Sequence, residues 1–290
     1  MEIKSIINRF TVDQYMAAFL VILSFVSAFF YGFGAQSLLP ILIAVAATAA
    51  LDLAIDYFKF KTLEIPQSAI ISGLFIGGLL TQGLQWYIYA AAAAIAILSK
   101  HLIRYRQKHI FNPANLGILL VSMIFGVSHT WWISSPMILA LIFGFFMIWR
   151  LRRLDLAISF AAAYFALVLL INIFNPVACG MMNMRCHMQP SALDDFYYTI
   201  INGGVIYFFA MYMLIEPKTN PAQRKQRIIY GALVAVLLIA FHSFIPRHEL
   251  PLALAAGNLF VPLLNNLNFE AKRKDKAEMT LSESIKRTDY

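Results

Sequence analysis

The sequence predicts an all-α polytopic membrane protein of about ten transmembrane helices, arranged as two inverted five-helix repeats with broken helices. Three observations predict it. Of 290 residues, 60% are hydrophobic and only 13% are charged, whereas a soluble domain is about half apolar and about a quarter charged. Apolar segments of the length a bilayer requires recur at 14–33, 37–57, 66–83, 86–103, 113–128, 136–149, 156–174, 196–215, 228–245 and 250–268. All but two of the 23 Lys and Arg, namely Arg185 and Arg247, then fall on one side of the alternating chain. That asymmetry places both termini in the cytoplasm. Ten spans divide into two halves of five, and an odd number inverts the second half relative to the first.

Taken in order, residues 1–13 form a cytoplasmic N-terminal segment carrying Lys4 and Arg9. No short apolar core with a small-residue cleavage site precedes span 14–33, so that span is expected to remain as the first helix. One integral membrane domain then runs over 14–268, with a first repeat at 14–128 and a second at 136–268. Lys59 and Lys61 follow the second span, and Lys100 to Lys108 separate the fourth from the fifth. The spans at 113–128 and 136–149 are short, and both a full crossing and a re-entrant hairpin suit them. Trp86 with Tyr87, and Trp131 with Trp132, are expected to form an aromatic belt on the outer side. The charged tail, 269–290, is expected to be disordered or a docking strip for soluble partners. The net charge of +8 is accounted for by topology, so no nucleic-acid partner is expected.

The most informative stretch is the polar, kinked run from Lys108 to Gly117. Pro113 has no N–H, and Asn112 before it is pushed out of the α region. Asn112 and Asn115 bring amides that hydrocarbon does not tolerate unpaired. Backbone of this kind is buried in protein or lines a polar cavity. The plainer alternative is a loop with Pro near the first helical position. Span 66–83 carries Ser72-Gly73 and Gly77-Gly78, and its counterpart 196–215 carries Asn202-Gly203-Gly204. Span 113–128 opens on Asn112-Pro113, and its counterpart 250–268 holds Asn258 and Pro262. Interruptions at matching places in two halves point to a midplane site. The alternative is that glycine simply allows close helix packing.

Ionisable residues at the inner ends of spans add candidates. Asp52 and Asp56 sit one helical turn apart on one face, and with Glu216 they are candidate ion-pathway groups. Lys59 or Lys61 is the expected partner of the two aspartates. Asp155, beside Arg152 and Arg153, reads as a surface pair. His109 is expected to contact a cytoplasmic headgroup, or a flavin or phosphate beside Asn112. Both cysteines lie in the outer loop, with His187. A Cys179–Cys186 disulfide is the favoured reading, and a soft metal held by Cys179, Cys186 and His187 is the alternative. No nucleophile–base pair, Walker loop or dinucleotide fingerprint occurs, so a self-contained enzyme is not expected.

Four segments carry a family resemblance. They are Ser68 to Phe75, Phe111 to Gly117, Gly203-Gly204 with Glu216-Pro217-Lys218-Thr219 and Tyr230-Gly231, and Asn258 to Leu263. In order and spacing they resemble the NqrB/RnfD family of integral-membrane proteins, which serve the sodium-pumping NADH:quinone reductase and the Rnf complex. The resemblance implies a pair of inverted five-helix repeats similar to urea transporters, in the plasma (inner) membrane of a prokaryote. It implies a membrane subunit of a redox-driven electron transport complex, with the lipid bilayer and other redox subunits as partners. It also implies FMN or riboflavin, and movement of Na⁺ or H⁺. Many relatives attach FMN to a Thr in a Ser-Gly-Ala-Thr type motif. No such motif lies between Trp131 and Phe196, so a flavin here is expected to be noncovalent. The flavin-site candidates carried over are Ser72, Gly73, Asn112, Pro113, Asn115, Asn202, Gly203, Gly204, Glu216, Thr219 and Asn258. The family's Asp before Pro is Glu216 here. The alternative is a channel or transporter for a small polar solute, using the same fold without redox chemistry.

Overall fold

A computed structural model describes residues 9–61, 63–174, 197 and 199–267. Cys179, Cys186 and His187, and the tail beyond 267, lie outside the described residues. The described chain is almost wholly helical: α1 Val12–Phe30, α2 Leu38–Phe60, α3 Gln67–Leu79, α4 Trp86–Leu102, α5 Pro113–Phe125, α6 Met137–Leu151, α7 Leu154–Phe174, α8 Gly204–Phe208, α9 Arg224–Phe244 and α10 Glu249–Asn266. A small antiparallel hairpin, β1 Arg104–Tyr105 and β2 Lys108–His109, joins α4 to α5.

Local chemistry sets the ends. Thr11 caps α1 in a capping box, its hydroxyl accepting from the Gln14 N–H at 3.2 Å while the Gln14 side chain accepts from the Thr11 N–H at 2.9 Å. Lys61 and Arg152 end α2 and α6 in left-handed conformations. Among the described residues, four helices, α1, α2, α7 and α9, are long and apolar enough to cross a membrane. Others are shorter: α3 and α5 have 13 residues each. At 1.5 Å per residue these reach about 20 Å, against roughly 30 Å of hydrocarbon.

Packing repeats between the halves. In each, the first helix lies on the third, the second on the fourth, and the fourth on the fifth. Between halves, α1 meets α6 and α5 meets α10. Helix α3 approaches α2 closely. A Cβ on Gly73 would lie 2.5 Å from Val45 Cα, and one on Gly77 would overlap the Ile41 backbone. Glycine is therefore required at both positions, as the packing alternative held. Gly77→Ala is expected to cost at least the roughly 1–3 kcal/mol of an overpacked core, read as a lower thermal midpoint in detergent. Gly204→Ala, where a Cβ meets nothing nearer than 3.7 Å, should be neutral.

The helix ends gather at two ends of the bundle. Val12, Ser68, Asn112, Leu151 and Glu216 line one cavity at the first end. The hairpin and Asn265 join Lys218 at that end too. At the other end, the Leu79 carbonyl accepts from the Thr130 and Trp131 N–H groups. The aromatic-belt expectation fails for Trp131 and Trp132. Trp86 is 66% exposed, but Trp131 and Trp132 are only 3% and 1% exposed. Their indole N–H groups are spent inside, on His129 Nδ1 at 2.8 Å and on the Gly77 carbonyl at 3.1 Å. A buried indole needs such a partner, and nothing in the local sequence signals where it will be found.

The Trp131 bond makes His129 Nδ1 an acceptor, so the neutral ring carries its proton on Nε2. Burial first, then the neighbouring His248, push the His129 pKa down to about 4 from 6.5. Protonation is therefore favoured in the unfolded chain. Stability should be full above pH 6.5 and fall as pH drops toward 4, by on the order of 3 kcal/mol. Thermal midpoints measured between pH 7.5 and pH 4.5 should show that slope in the wild type and not in His129→Phe.

Candidate functional site

The site forms where α5 begins, α8 ends and α10 passes. Asn112 caps α5 with extended backbone, its side-chain oxygen accepting from the Asn115 N–H at 3.0 Å. Pro113 follows in the first turn, where a missing N–H costs nothing. The plainer reading of this run and the cavity reading are thus both met, since Asn112 and Pro113 also line a cavity. Asn115 is fully buried, and its amide N–H donates to the Pro251 carbonyl of α10 at 2.8 Å.

The α8 segment is broken, as its glycines predict. Gly203 interrupts the helical path, and after α8 the chain makes a π-helical turn over Phe209–Met213. Such turns are frequent at functional sites. The chain then leaves through Glu216-Pro217. Glu216 organises the exit: its backbone carbonyl accepts from the Thr219 N–H at 3.2 Å and from Asn220 Nδ2 at 2.8 Å. Its carboxylate accepts from Thr219 Oγ1 at 3.2 Å and from His109 Nε2 at 3.1 Å. His109 is buried, which corrects the headgroup contact expected of it. Its position at the end of β2 turns the ring inward, onto Glu216.

Asn258 closes the node. It is fully buried, 2.6 Å from the Tyr230 hydroxyl. With its amide oxygen facing the Asn112 N–H at 3.1 Å, its nitrogen donates to the Thr219 carbonyl at 3.2 Å. One side chain thus ties α5, α9, α10 and the exit from α8.

Two cavities of about 160 Å³ each flank this node. The first is walled by Ile71, Ser72, Phe75 and Tyr212, with Asp13 and Glu216 as its carboxylates. The second is lined by Arg106, Lys108, His109, Asn258 and Asn265, with no carboxylate among the described residues of its wall. Lys218 lines both. Of the candidate flavin residues, Ser72, Asn112, Pro113, Glu216, Thr219 and Asn258 are brought together here. Ser72 lines the first cavity while its hydroxyl donates to the Ser68 carbonyl at 2.9 Å. Gly73 faces α2 instead. Asn202, Gly203 and Gly204 are not brought to the node. Gly204 lies beside Met137 and the Ser134 carbonyl, at the other end of the bundle.

The aspartates separate as well. Asp52 is buried and accepts from Lys100 Nζ at 2.8 and 3.0 Å, with His101 Nε2 at 2.8 Å. Its partners come from α4, not from Lys59 or Lys61, because the side chain points across the α2–α4 contact. Asp56 is half-buried on the same helix, and neither aspartate lines the two cavities. Asp155 is not a surface pair with Arg152 or Arg153. It is 7% exposed and accepts from Arg227 of α9 at 2.7 and 2.8 Å. Among the described residues, no group of three or more His, Cys, Asp or Glu could hold a metal ion. Sequence reasoning missed Asp13 and the pairing of His109 with Glu216. Nothing local links positions 107 residues apart, although His109 does sit in the polar run that announces the site.

A bundle of apolar helices, interrupted at one end by a polar node between two small cavities, defines the class as integral membrane protein. The chain belongs to the NQR2, RnfD, RnfE family, whose sequence profile matches residues 5–136 and 133–273. This is a family of membrane subunits of electron-transport and ion-translocating complexes. No individual curated protein matches the sequence.

Proposed function

We propose that this chain is the membrane subunit of a redox-driven electron transport complex, holding FMN or riboflavin noncovalently at the node and coupling electron transfer to Na⁺ or H⁺ movement. The observation that carries the reading is the pair of buried His109 with half-buried Glu216 between an aromatic-walled cavity and a cationic one, in a chain of this family. Each cavity is below the roughly 300–1,000 Å³ of a usual ligand pocket. A flavin would need to occupy both, with Lys218 turned aside. Phe75 and Tyr212 would hold the ring system, and Asn112 and Ser72 would meet its polar edge. Arg106 and Lys108 would grip the phosphate of FMN. A bound flavin supplies one- and two-electron chemistry. The chain's own part is to bind and orient it, to exclude water, and to hold one proton between His109 Nε2 and Glu216 Oε1. Asp52, Asp56 and Glu216 are the residues proposed for the ion route.

The same reading takes the expected spans as two inverted five-helix repeats, the short ones as crossings or re-entrant hairpins, in the plasma membrane of a prokaryote with both termini cytoplasmic. The packing pattern common to both halves and the basic end of the bundle support it. Titrating purified protein with FMN and with riboflavin, followed by flavin fluorescence, tests the binding mode. FMN should bind more tightly. Arg106→Ala with Lys108→Ala should weaken FMN about tenfold or more, since a charged hydrogen bond contributes roughly 1.5–3 kcal/mol, and should leave riboflavin unchanged. Equal affinities, unaffected by the double change, would remove the phosphate grip. The small cavity volumes favour a second reading, a channel or transporter for a small polar solute, which predicts a colourless protein active alone.

A further inference from the structure

The turn between α6 and α7 carries charge that the described residues around it do not neutralise. Arg150, Arg152 and Arg153 lie at this turn, and Arg224 and Arg227 open α9 beside it. Among the described residues the only carboxylate lining the cleft is Asp155, and Arg227 occupies it. Arg227 also donates to the Ala222 carbonyl. Neither Arg152 nor Arg224 enters an ion pair among the described residues. The Nε atoms of Arg150 and Arg153 are buried with no acceptor among the described residues, and one Asp155 oxygen likewise has no donor. Burial, and then Arg227, lower the Arg153 pKa, and Asp155 opposes this only in part.

Two open clefts meet at this turn. One, of about 410 Å³, runs past Arg150 and Arg152 to Phe145 and Trp149. The other, of about 520 Å³, runs past Arg152 and Arg224 to Ile158 and Ile228. Arg152 and Leu154 line both. Beyond the arginines each cleft opens on exposed apolar surface. Trp149 is 62% and Ile158 57% exposed, in a helix bundle of a membrane family.

We propose that this junction binds an anionic phospholipid, its phosphate among Arg150, Arg152 and Arg224 and its acyl chains along the Trp149 and Ile158 walls. The chemistry is that of a basic pocket between transmembrane helices, which takes lipid phosphate. Guanidinium forks suit phosphate oxygens, and Arg150, Arg152 and Arg224 line the two clefts. An acidic protein segment would satisfy the arginines equally, but it would leave the apolar walls of both clefts unused. Two clefts sharing one arginine also fit a lipid with two phosphates. The site is separate from the flavin node, and its test does not depend on flavin.

Trp149 provides the readout. The full-length protein would be reconstituted in phosphatidylcholine bilayers containing a minor fraction of brominated phosphatidylglycerol, or the same fraction of brominated phosphatidylcholine. Tryptophan quenching would be compared in Trp86→Phe protein, because Trp131 and Trp132 are buried. Brominated phosphatidylglycerol should quench more strongly than brominated phosphatidylcholine. Arg152→Gln and Arg224→Gln should each lower that preference about fivefold, the equivalent of ~1 kcal/mol per arginine. Trp149→Phe should abolish the differential signal while leaving the thermal midpoint within a few degrees. Equal quenching by the two lipids would overturn the proposal. So would a preference that survives both Arg→Gln changes, or one that inorganic phosphate removes, which would assign the cluster to a free anion.

Discussion

Asp52→Ala is expected to lower the stability of the purified protein more than any other single change of a charged residue. Asp52 holds Lys100 and His101 against α2, and its side chain is 3% exposed. Removing it strands an ammonium and an imidazole whose side chains are only 17% and 11% exposed. Breaking a buried pair by deleting one partner costs roughly 3–5 kcal/mol, whereas replacing the whole group by apolar side chains is often neutral. Asp52→Leu combined with Lys100→Met and His101→Leu should therefore recover most of the thermal midpoint that Asp52→Ala loses. That rescue also separates structure from transport. If Asp52 serves the ion route, the triple variant should fold and yet fail in ion movement. Full ion coupling in the rescued protein would remove Asp52 from the route.

Asn258→Leu has the second largest expected effect. The side chain is fully buried and joins Tyr230, Thr219 and the Asn112 backbone. Leucine has nearly the same volume but leaves a hydroxyl, a carbonyl and an N–H without partners. Each orphan costs roughly 1–3 kcal/mol. Tyr230→Phe removes one of those orphans, so the double variant should be less destabilised than the two single effects predict. A cycle with additive effects would mean that Tyr230 and Asn258 do not act together. Because Asn258 lines the cationic cavity, the same variant should also lose affinity for FMN.

The helices were readable from the chain because hydrophobic runs and charge alternation are local signals. The described helix starts and ends fall close to the expected spans, except at 196–215, of which α8 covers only Gly204–Phe208. The break at Gly203 and the capped start at Asn112 were readable for the same reason, since glycine and Asn-Pro act on their own backbone. What escaped were pairings across the fold. Asp52 finds Lys100 because α2 crosses α4, and Asp155 finds Arg227 because α7 crosses α9. Trp131 and Trp132 look like belt residues in sequence, yet they fold under the bundle because the chain after α5 turns back onto the end of α3. Gly203 and Gly204 matched Ser72 and Gly73 in the repeat, but α8 carries its glycines at the end away from Glu216. Composition marks such residues as unusual, and only tertiary packing decides what they touch.

The most direct test is the visible absorption spectrum of the purified protein, recorded before and after acid precipitation, from cells with ample flavin. A flavin bound at the node without a covalent bond predicts an absorption band that moves into the supernatant with acid. It also predicts that the band is weaker in Asn258→Leu. A band that stays with the pellet would mean a covalent link that the sequence does not announce. A colourless protein would contradict the flavin site and favour the small-solute channel.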